Sequence, residues 1–154
     1  MIFGAIEKLC GELHSLGHTI TVETAGTVFR RFACDLMSIS PKLANSTPPR
    51  GSGWAERHEA TRLNLPVLAE LIETYNHQLK FVVGDDVAGD VVQIRELLGK
   101  LPPVVPDRVL LMPQGTDSEA LHRRARNLVN VCVEHGWRLC PRLHIDLFGN
   151  KRGT

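Results

Sequence analysis

The sequence predicts an α/β fold with one parallel sheet and helices packed against it. Short segments rich in β-branched and other apolar residues alternate along the chain with longer segments whose apolar residues recur at helical spacing. The strand segments read as apolar throughout, as expected where helices cover both faces of a parallel sheet. With 154 residues, of which 43% are hydrophobic, the chain can bury one core, and we expect a single domain over residues 1–154.

The residue patterns place each strand and helix in order. The predicted strands cover residues 19–23, 36–40, 78–83, 108–112 and 137–145. The predicted helices cover residues 3–16, 66–76, 87–98 and 117–135. Asp85 or Asp86 is the expected N-cap of the third helix. Thr116 with Glu119 forms the expected capping box of the fourth, and Gly136 is expected to end it.

Residues 44–56 (ANSTPPRGSGWAE) separate the second strand from the second helix. This stretch contains Pro-Pro, Gly-Ser-Gly and small hydroxyl residues, which are typical of loops. We expect a flexible loop here. Trp54 and Arg57 flank it and are interpreted as ordinary surface residues.

The charge balance argues against two classes of partner. The formal net charge is +1, so no field of one sign favours nucleic acid or an anionic membrane. The basic residues His122, Arg123, Arg124 and Arg126 read as the solvated face of a helix. No apolar run has the length of a membrane span, and we expect a cytoplasmic protein.

The four cysteines have no spacing typical of a metal site. Cys10, Cys34, Cys132 and Cys140 lie far apart and include no C-x-x-C pair. In a cytoplasmic chain they are expected to be reduced thiols, most of them buried.

Polar residues follow or end nearly every predicted strand. In parallel α/β folds the ligand site lies at the carboxyl ends of the strands, so these residues are expected to share one cleft. Each also has a purely structural interpretation as a strand end, a turn or a cap. The residues concerned are Glu23, Ser40 to Lys42, Lys80, Pro113 to Thr116, and His144.

Five blocks in order give the sequence a resemblance to a known family. They are VETAGT at 22–27, SISPKLANSTP at 38–48, QLKFVV at 78–83, LLMPQGT at 110–116 and RLHIDLFGNKRGT at 142–154. Together they resemble the 7-carboxy-7-deazaguanine synthases, radical S-adenosylmethionine enzymes of queuosine and 7-deazapurine biosynthesis. The resemblance implies the C-terminal portion of an incomplete radical-SAM (βα) barrel, with the parallel sheet and packed helices predicted above.

The resemblance also implies binding roles for individual residues. Those expected to contact S-adenosylmethionine are Ser40, Pro41, Lys42, Leu111, Met112, Pro113 and Gln114, the last four chiefly through backbone groups. Glu23 is expected to face the pterin substrate or the ribose of the cofactor. His144 and Thr154 are expected to contact the substrate, Thr154 through the terminal carboxylate. No residue is assigned a catalytic role.

The implied reaction converts 6-carboxy-5,6,7,8-tetrahydropterin to 7-carboxy-7-deazaguanine with loss of ammonia. The cofactors implied are S-adenosylmethionine, a [4Fe-4S] cluster and Mg²⁺. The cluster is bound in the family by a cysteine motif, often C-x-x-x-C-x-x-C, and a Gly-Gly-Glu-Pro run contacts the methionine part. Neither is present in these residues. The chain begins with MIFGAIEKLC, which resembles the residues that follow that run.

Two hypotheses of different class account for the missing motifs. In the first, the chain is an N-terminally truncated piece of a catalytically competent synthase. In the second, it is a short, non-catalytic protein that binds S-adenosylmethionine or completes a site with a separate cluster-bearing chain. On either hypothesis the strand at 19–23 is expected to form an open sheet edge. We therefore expect the chain alone to dimerise or aggregate and to bind no iron; homodimers are common in the family.

Overall fold

The computed structural model describes the backbone of residues 2–49 and 51–151, and the side chains within these ranges from Gly4 onward. The strands are β1 (Thr21–Thr24), β2 (Leu36–Ile39), β3 (His77–Val83), β4 (Val109–Pro113) and β5 (Arg138–Leu139). The helices are α1 (Ile2–Ser15), α2 (Ala55–Thr61), α3 (Leu65–Thr74), α4 (Val87–Leu98), α5 (Ser118–His135) and α6 (Leu143–Phe148). Two short 3-10 turns cover Ala44–Ser46 and Pro106–Arg108.

All five strands belong to one parallel sheet, as predicted. Their order in space follows their order in sequence, β1-β2-β3-β4-β5, with β1 at one edge and β5 at the other. Parallel neighbours need a crossover connection, and α3, α4 and α5 provide it between the later strands. The expectation that the first strand forms an edge is confirmed.

One face of the sheet forms the apolar core. Alternate residues of β2, β3 and β4 are fully buried there against helix residues such as Leu68 of α3, Ile94 of α4 and Leu128 of α5. The other face carries the intervening residues, among them Ser38, Gln78 and Lys80. Since β3 alternates in this way, the expectation that the strands are apolar throughout was wrong for that strand. The two faces of the sheet therefore differ in chemistry.

Helix ends follow the predicted caps with one exception. Asp86 caps α4 by accepting a hydrogen bond from Gly89 N at 3.0 Å. Gly136 ends α5 in the left-handed conformation, with φ 67°. The N-cap of α5 is Asp117, which accepts from Ala120 N at 2.9 Å, and the predicted Thr116 cap was wrong by one residue. A carboxylate at this position satisfies the same free amide that a threonine would.

The last predicted strand, 137–145, was wrong in extent. Only Arg138–Leu139 pair with β4, and Cys140 N adds one further hydrogen bond to Leu111 O at 2.8 Å. Pro141 has no amide hydrogen to continue the ladder, and the chain turns into α6. His144 consequently lies on a helix and not at a strand end.

The polar segment after β2 contains more regular structure than predicted. A 3-10 turn covers Ala44–Ser46, and α2 begins at Ala55, inside the range assigned to the loop. Whether residues 44–56 are flexible stays a prediction. Within the described residues, no helix combines the length and the apolar character needed to cross a bilayer.

Candidate functional site

A carboxylate and an ammonium group meet on the polar face of the sheet. Lys80 Nζ donates to Glu23 Oε1 at 2.7 Å, although the two residues belong to β1 and β3. The Lys80 side chain is 13% exposed and that of Glu23 is 71% exposed. Glu23 therefore has an accessible carboxylate whose charge is balanced from inside the sheet. Such a group accepts hydrogen bonds from ring N–H or hydroxyl donors of a ligand.

A second polar pair lies beside the first on the same face. Gln78 Nε2 donates to the buried Ser38 Oγ at 3.0 Å, and Ser38 is the register partner of both Glu23 and Gln78. Buried polar groups of this kind are retained where they are hydrogen-bonded. Polar side chains thus extend from β1 across β2 to β3.

The turn after β1 packs closely against α3. Gly26 N donates to Thr24 Oγ1 at 3.1 Å, and Gly26 adopts φ 74°. A Cβ at this position would lie 2.2 Å from Leu68 Cδ2. Glycine is required by both the backbone conformation and the contact, which fixes the chain directly beyond Glu23.

The predicted cofactor turn Ser40 to Lys42 lies at the carboxyl end of β2. Ser40 N donates to Thr24 O at 2.7 Å, which joins the ends of β1 and β2. Arg62 Nη1 donates to Lys42 O at 2.8 Å, and Pro41 is buried. The backbone of this turn is thereby held from two sides.

A buried carboxylate fixes the residues that follow this turn. Asp90 of α4 is 3% exposed and accepts from Gly84 N and from Asn45 Nδ2, each at 2.7 Å. Asn45 Nδ2 also donates to Val82 O at 3.0 Å. Gln93 Oε1, one turn further along α4, accepts from Ala44 N at 3.0 Å. The segment after Lys42 is therefore attached to the end of β3 and to α4.

The structure separates the four residues predicted on β4 and its end into two groups. The side chains of Leu111 and Pro113 are buried on the core side of the sheet. The Met112 side chain is half-buried on the opposite side of the sheet. The Gln114 side chain is exposed, and its backbone N–H donates to Val83 O at 2.9 Å. Side chains of Met112 and Gln114, but not of Leu111, can therefore face a ligand at this edge.

His144 is exposed on α6, and Thr154 lies outside the described residues. The helix α6 is fastened to α5 through Asp146, which accepts from Ser118 Oγ at 3.1 Å and lies 3.2 Å from His122 Nε2. His122 therefore has a structural contact that its interpretation as a solvated residue omitted. Nothing in these contacts joins His144 to Glu23.

All four cysteines are free thiols, as predicted. Cys10 and Cys132 are buried, and Cys34 and Cys140 are partly buried. Burial raises the pKa of the Cys34, Cys132 and Cys140 thiols, so these three favour the protonated form rather than the thiolate that binds iron. In the part of the chain that the structure describes, no group of three or more His, Cys, Asp or Glu side chains is placed to hold a metal.

Three residues of this site were not predicted from the sequence: Gln78, Asp90 and Arg124, whose Nη1 donates to Gln114 O at 2.6 Å. Alternation of Gln78 and Lys80 with the apolar Leu79 and Phe81 was a usable signal for a polar sheet face. Asp90 and Arg124 gave no local signal, because their partners lie far away in sequence.

Three curated relatives match almost the whole chain. A protein of Halobacterium salinarum is 41% identical over 157 residues, covering 95% of this chain and 60% of the relative. One of Rhodopirellula baltica is 39% identical over 160 residues, covering 100% and 60%, and one of Pyrobaculum aerophilum is 29% identical over 154 residues, covering 96% and 60%. All three are named 7-carboxy-7-deazaguanine synthase.

This chain is similar to part of a 7-carboxy-7-deazaguanine synthase. The resemblance predicted from the five sequence blocks is thereby confirmed. The chain spans 60% of the length of these synthases. No family model matches the sequence, and no solved structure matches it.

Proposed function

We propose that the chain forms the ligand-holding part of a 7-carboxy-7-deazaguanine synthase. The reaction would be ring contraction of 6-carboxy-5,6,7,8-tetrahydropterin to 7-carboxy-7-deazaguanine with loss of ammonia, a carbon-nitrogen lyase reaction. The observation that carries the proposal is the Glu23–Lys80 ion pair, which spans β2 near the Ser40 to Lys42 turn that follows this strand. Identities of 41% and 39% to synthases support it.

In this proposal Glu23 binds the pterin. Its exposed carboxylate would accept hydrogen bonds from the ring N–H groups, while Lys80 keeps the carboxylate oriented and balances its charge. His144 and Thr154 would contact the same substrate.

S-adenosylmethionine would lie along Ser40, Pro41, Lys42 and residues 111–114. The fit rests on two features of the structure: the fixed backbone of the turn and the half-buried Lys42, whose ammonium has no ion-pair partner among the described residues. An ammonium group in this position suits the carboxylate of the methionine part. When bound, the cofactor would supply the radical chemistry. The residues of this chain bind it, orient it and limit the access of water.

The described cysteines do not suit an iron-sulfur cluster, because no three of them are grouped to hold a metal and three have raised pKa values. We assign no step to the cluster.

The proposal further includes a partial radical-SAM barrel, Mg²⁺ as a second cofactor, a homodimer and a cytoplasmic location. The sequential parallel strand order is the geometry that a partial barrel requires.

The second candidate function is a non-catalytic module that binds S-adenosylmethionine or assembles with a cluster-bearing chain. The observation on its side is the burial that raises the pKa of the Cys34, Cys132 and Cys140 thiols, which opposes iron binding by these residues.

A chimera tests the proposal. The part of the Halobacterium synthase that this chain does not match would be fused to residues 1–154, and the reconstituted protein would be assayed for 7-carboxy-7-deazaguanine by mass spectrometry. We expect product from the chimera and none from the chain alone. A folded, cluster-loaded chimera without product, although it binds S-adenosylmethionine, would support the non-catalytic module instead.

A further inference from the structure

Arg124 joins the carboxyl ends of β3 and β4. Its guanidinium makes two parallel hydrogen bonds to Asp85, Nε to Oδ1 at 2.7 Å and Nη2 to Oδ2 at 2.9 Å. The third nitrogen, Nη1, donates to Gln114 O at 2.6 Å. Asp85 is the second residue after β3, and Gln114 follows β4 directly. One side chain of α5 therefore contacts both strand ends.

The local backbone is adapted to this guanidinium. Gly115 has φ 144°, and a Cβ at Gly115 would lie 3.0 Å from Arg124 Nη1. Next to these contacts, Gln114 N donates to Val83 O at 2.9 Å. Arg124 is thus in contact with the turn that holds the two strand ends in register.

Arg124 differs from its basic neighbours on α5. It is partly buried, with 29% of its side chain exposed, whereas Arg123 and Arg126 are exposed. A forked guanidinium that binds a carboxylate at two points fixes geometry as well as charge. The interpretation of these arginines as one solvated helix face was therefore wrong for Arg124.

We propose that Arg124 is a positioning residue for the cofactor-binding backbone at residues 112–114. It holds the Gln114 carbonyl and the loop after β3 at a fixed separation, so that the backbone groups of this segment are presented to the adenosine part of S-adenosylmethionine. The inference rests on the proposed function for the identity of the ligand. The register of the two strand ends is a property of the chain itself and can be measured without any ligand.

The test uses the 154-residue chain with four variants: Arg124→Ala, Arg124→Lys, Asp85→Asn and, as a matched control, Arg123→Ala. Amide hydrogen exchange at Gln114 reports the register, and calorimetric titration with S-adenosylmethionine reports binding. In Arg124→Ala we expect faster Gln114 exchange and weaker binding, each by about tenfold, because charge-assisted hydrogen bonds are lost. In Arg124→Lys both values should lie between those of the wild type and Arg124→Ala, since an ammonium cannot make the two parallel hydrogen bonds of a guanidinium. Arg123→Ala should have the exchange rate and affinity of the wild type.

Asp85→Asn removes the charge pair but leaves the Gln114 carbonyl contact, so it should produce a smaller change in both measurements. This variant decides the question if Arg124→Ala fails to fold. Wild-type exchange and affinity in Arg124→Ala, or the same changes in Arg123→Ala, would overturn the inference. If the wild-type chain binds no S-adenosylmethionine, the proposed function and the cofactor part of the inference fail, while Gln114 exchange still decides whether Arg124 sets the register.

Discussion

Lys80 reaches across an entire strand to contact Glu23. The two residues lie on β3 and β1, and their 2.7 Å contact spans β2 on the polar face of the sheet. Two neighbouring strands are separated by about 4.8 Å, so the pair bridges roughly twice that distance with two long side chains. Glu23 is thereby fixed at the open edge while its carboxylate stays accessible to a ligand.

Replacing Glu23 should weaken substrate binding with little effect on folding. In the chimera described above, Glu23→Gln replaces the carboxylate that would accept hydrogen bonds from the pterin ring N–H groups with a neutral amide. We expect the dissociation constant for 6-carboxy-5,6,7,8-tetrahydropterin to rise by about tenfold or more, because a hydrogen bond to a charged group contributes about 1.5–3 kcal/mol. Calorimetric titration would measure it. Glu12→Gln, an exposed glutamate on α1 that lies 3.7 Å from Lys8, is the control; equal affinities in the two variants would argue against a role for Glu23.

Removing the buried carboxylate of Asp90 should destabilise the chain. Asp90→Ala leaves Gly84 N and one hydrogen of Asn45 Nδ2 without their acceptor. We expect the free energy of unfolding to fall by about 2–3 kcal/mol, measured by urea denaturation. Asp107→Ala, at an exposed position, should change it by less than about 0.5 kcal/mol. A loss in Asp90→Ala no larger than in this control would contradict the structural role of the network.

The Asp85 carboxyl should titrate at a lower pH than an ordinary aspartate. Its pKa is lowered, first by the hydrogen bond from Arg124 and then by the charge of that residue. Because the folded-state pKa lies below the unfolded value, the pair stabilises the fold above the unfolded pKa, and this contribution is lost as the pH falls through the folded pKa. Carboxyl NMR titration should show the Asp85 pKa rising toward its ordinary value in Arg124→Ala and at high salt. An unchanged pKa in that variant would mean that another group causes the shift.

The open edge at β1 should make the isolated chain associate. The backbone oxygens of Ile20 and Thr24 accept hydrogen bonds from Leu36 N and Ser40 N, on the side of β2. Along a parallel strand, the backbone groups of successive residues point alternately to the two sides, so the Thr21 amide points to the open edge. A largely apolar cavity of about 330 Å³, lined in part by Val22, Val28 and Phe32, lies beside it.

Sedimentation velocity of the wild-type chain should therefore show dimers or larger species, as edge strands pair readily with other chains. Thr21→Pro removes the outward amide and should shift the distribution toward monomer. A monomeric wild-type chain would contradict the prediction. If Thr21→Pro associates as strongly as the wild type, the chains associate through a surface other than the β1 edge.

Local features of the sequence determined the secondary structure and the parallel sheet. The 3.6-residue period of α4 and α5, the cap at Asp86 and the glycine at 136 act within a few residues, so they can be interpreted without the fold. The errors occurred where a local signal was weak or ambiguous: Thr116 and Asp117 both suit a cap, and only Pro141 marked the early end of β5. Placing polar residues at strand ends was also possible, because parallel strands bring their carboxyl ends together.

The tertiary structure alone decided which of these polar groups meet. Glu23 and Lys80 are 57 residues apart in sequence, Asn45 and Asp90 are 45 apart, and Asp85 and Arg124 are 39 apart. Contacts at such separations depend on strand register and on the packing of α4 and α5 against the sheet, and neither is encoded in a local pattern. For this reason the sequence indicated Glu23 and the Ser40 to Lys42 turn, whereas the structure was needed to find Asp90 and Arg124 as the residues that hold their surroundings in place.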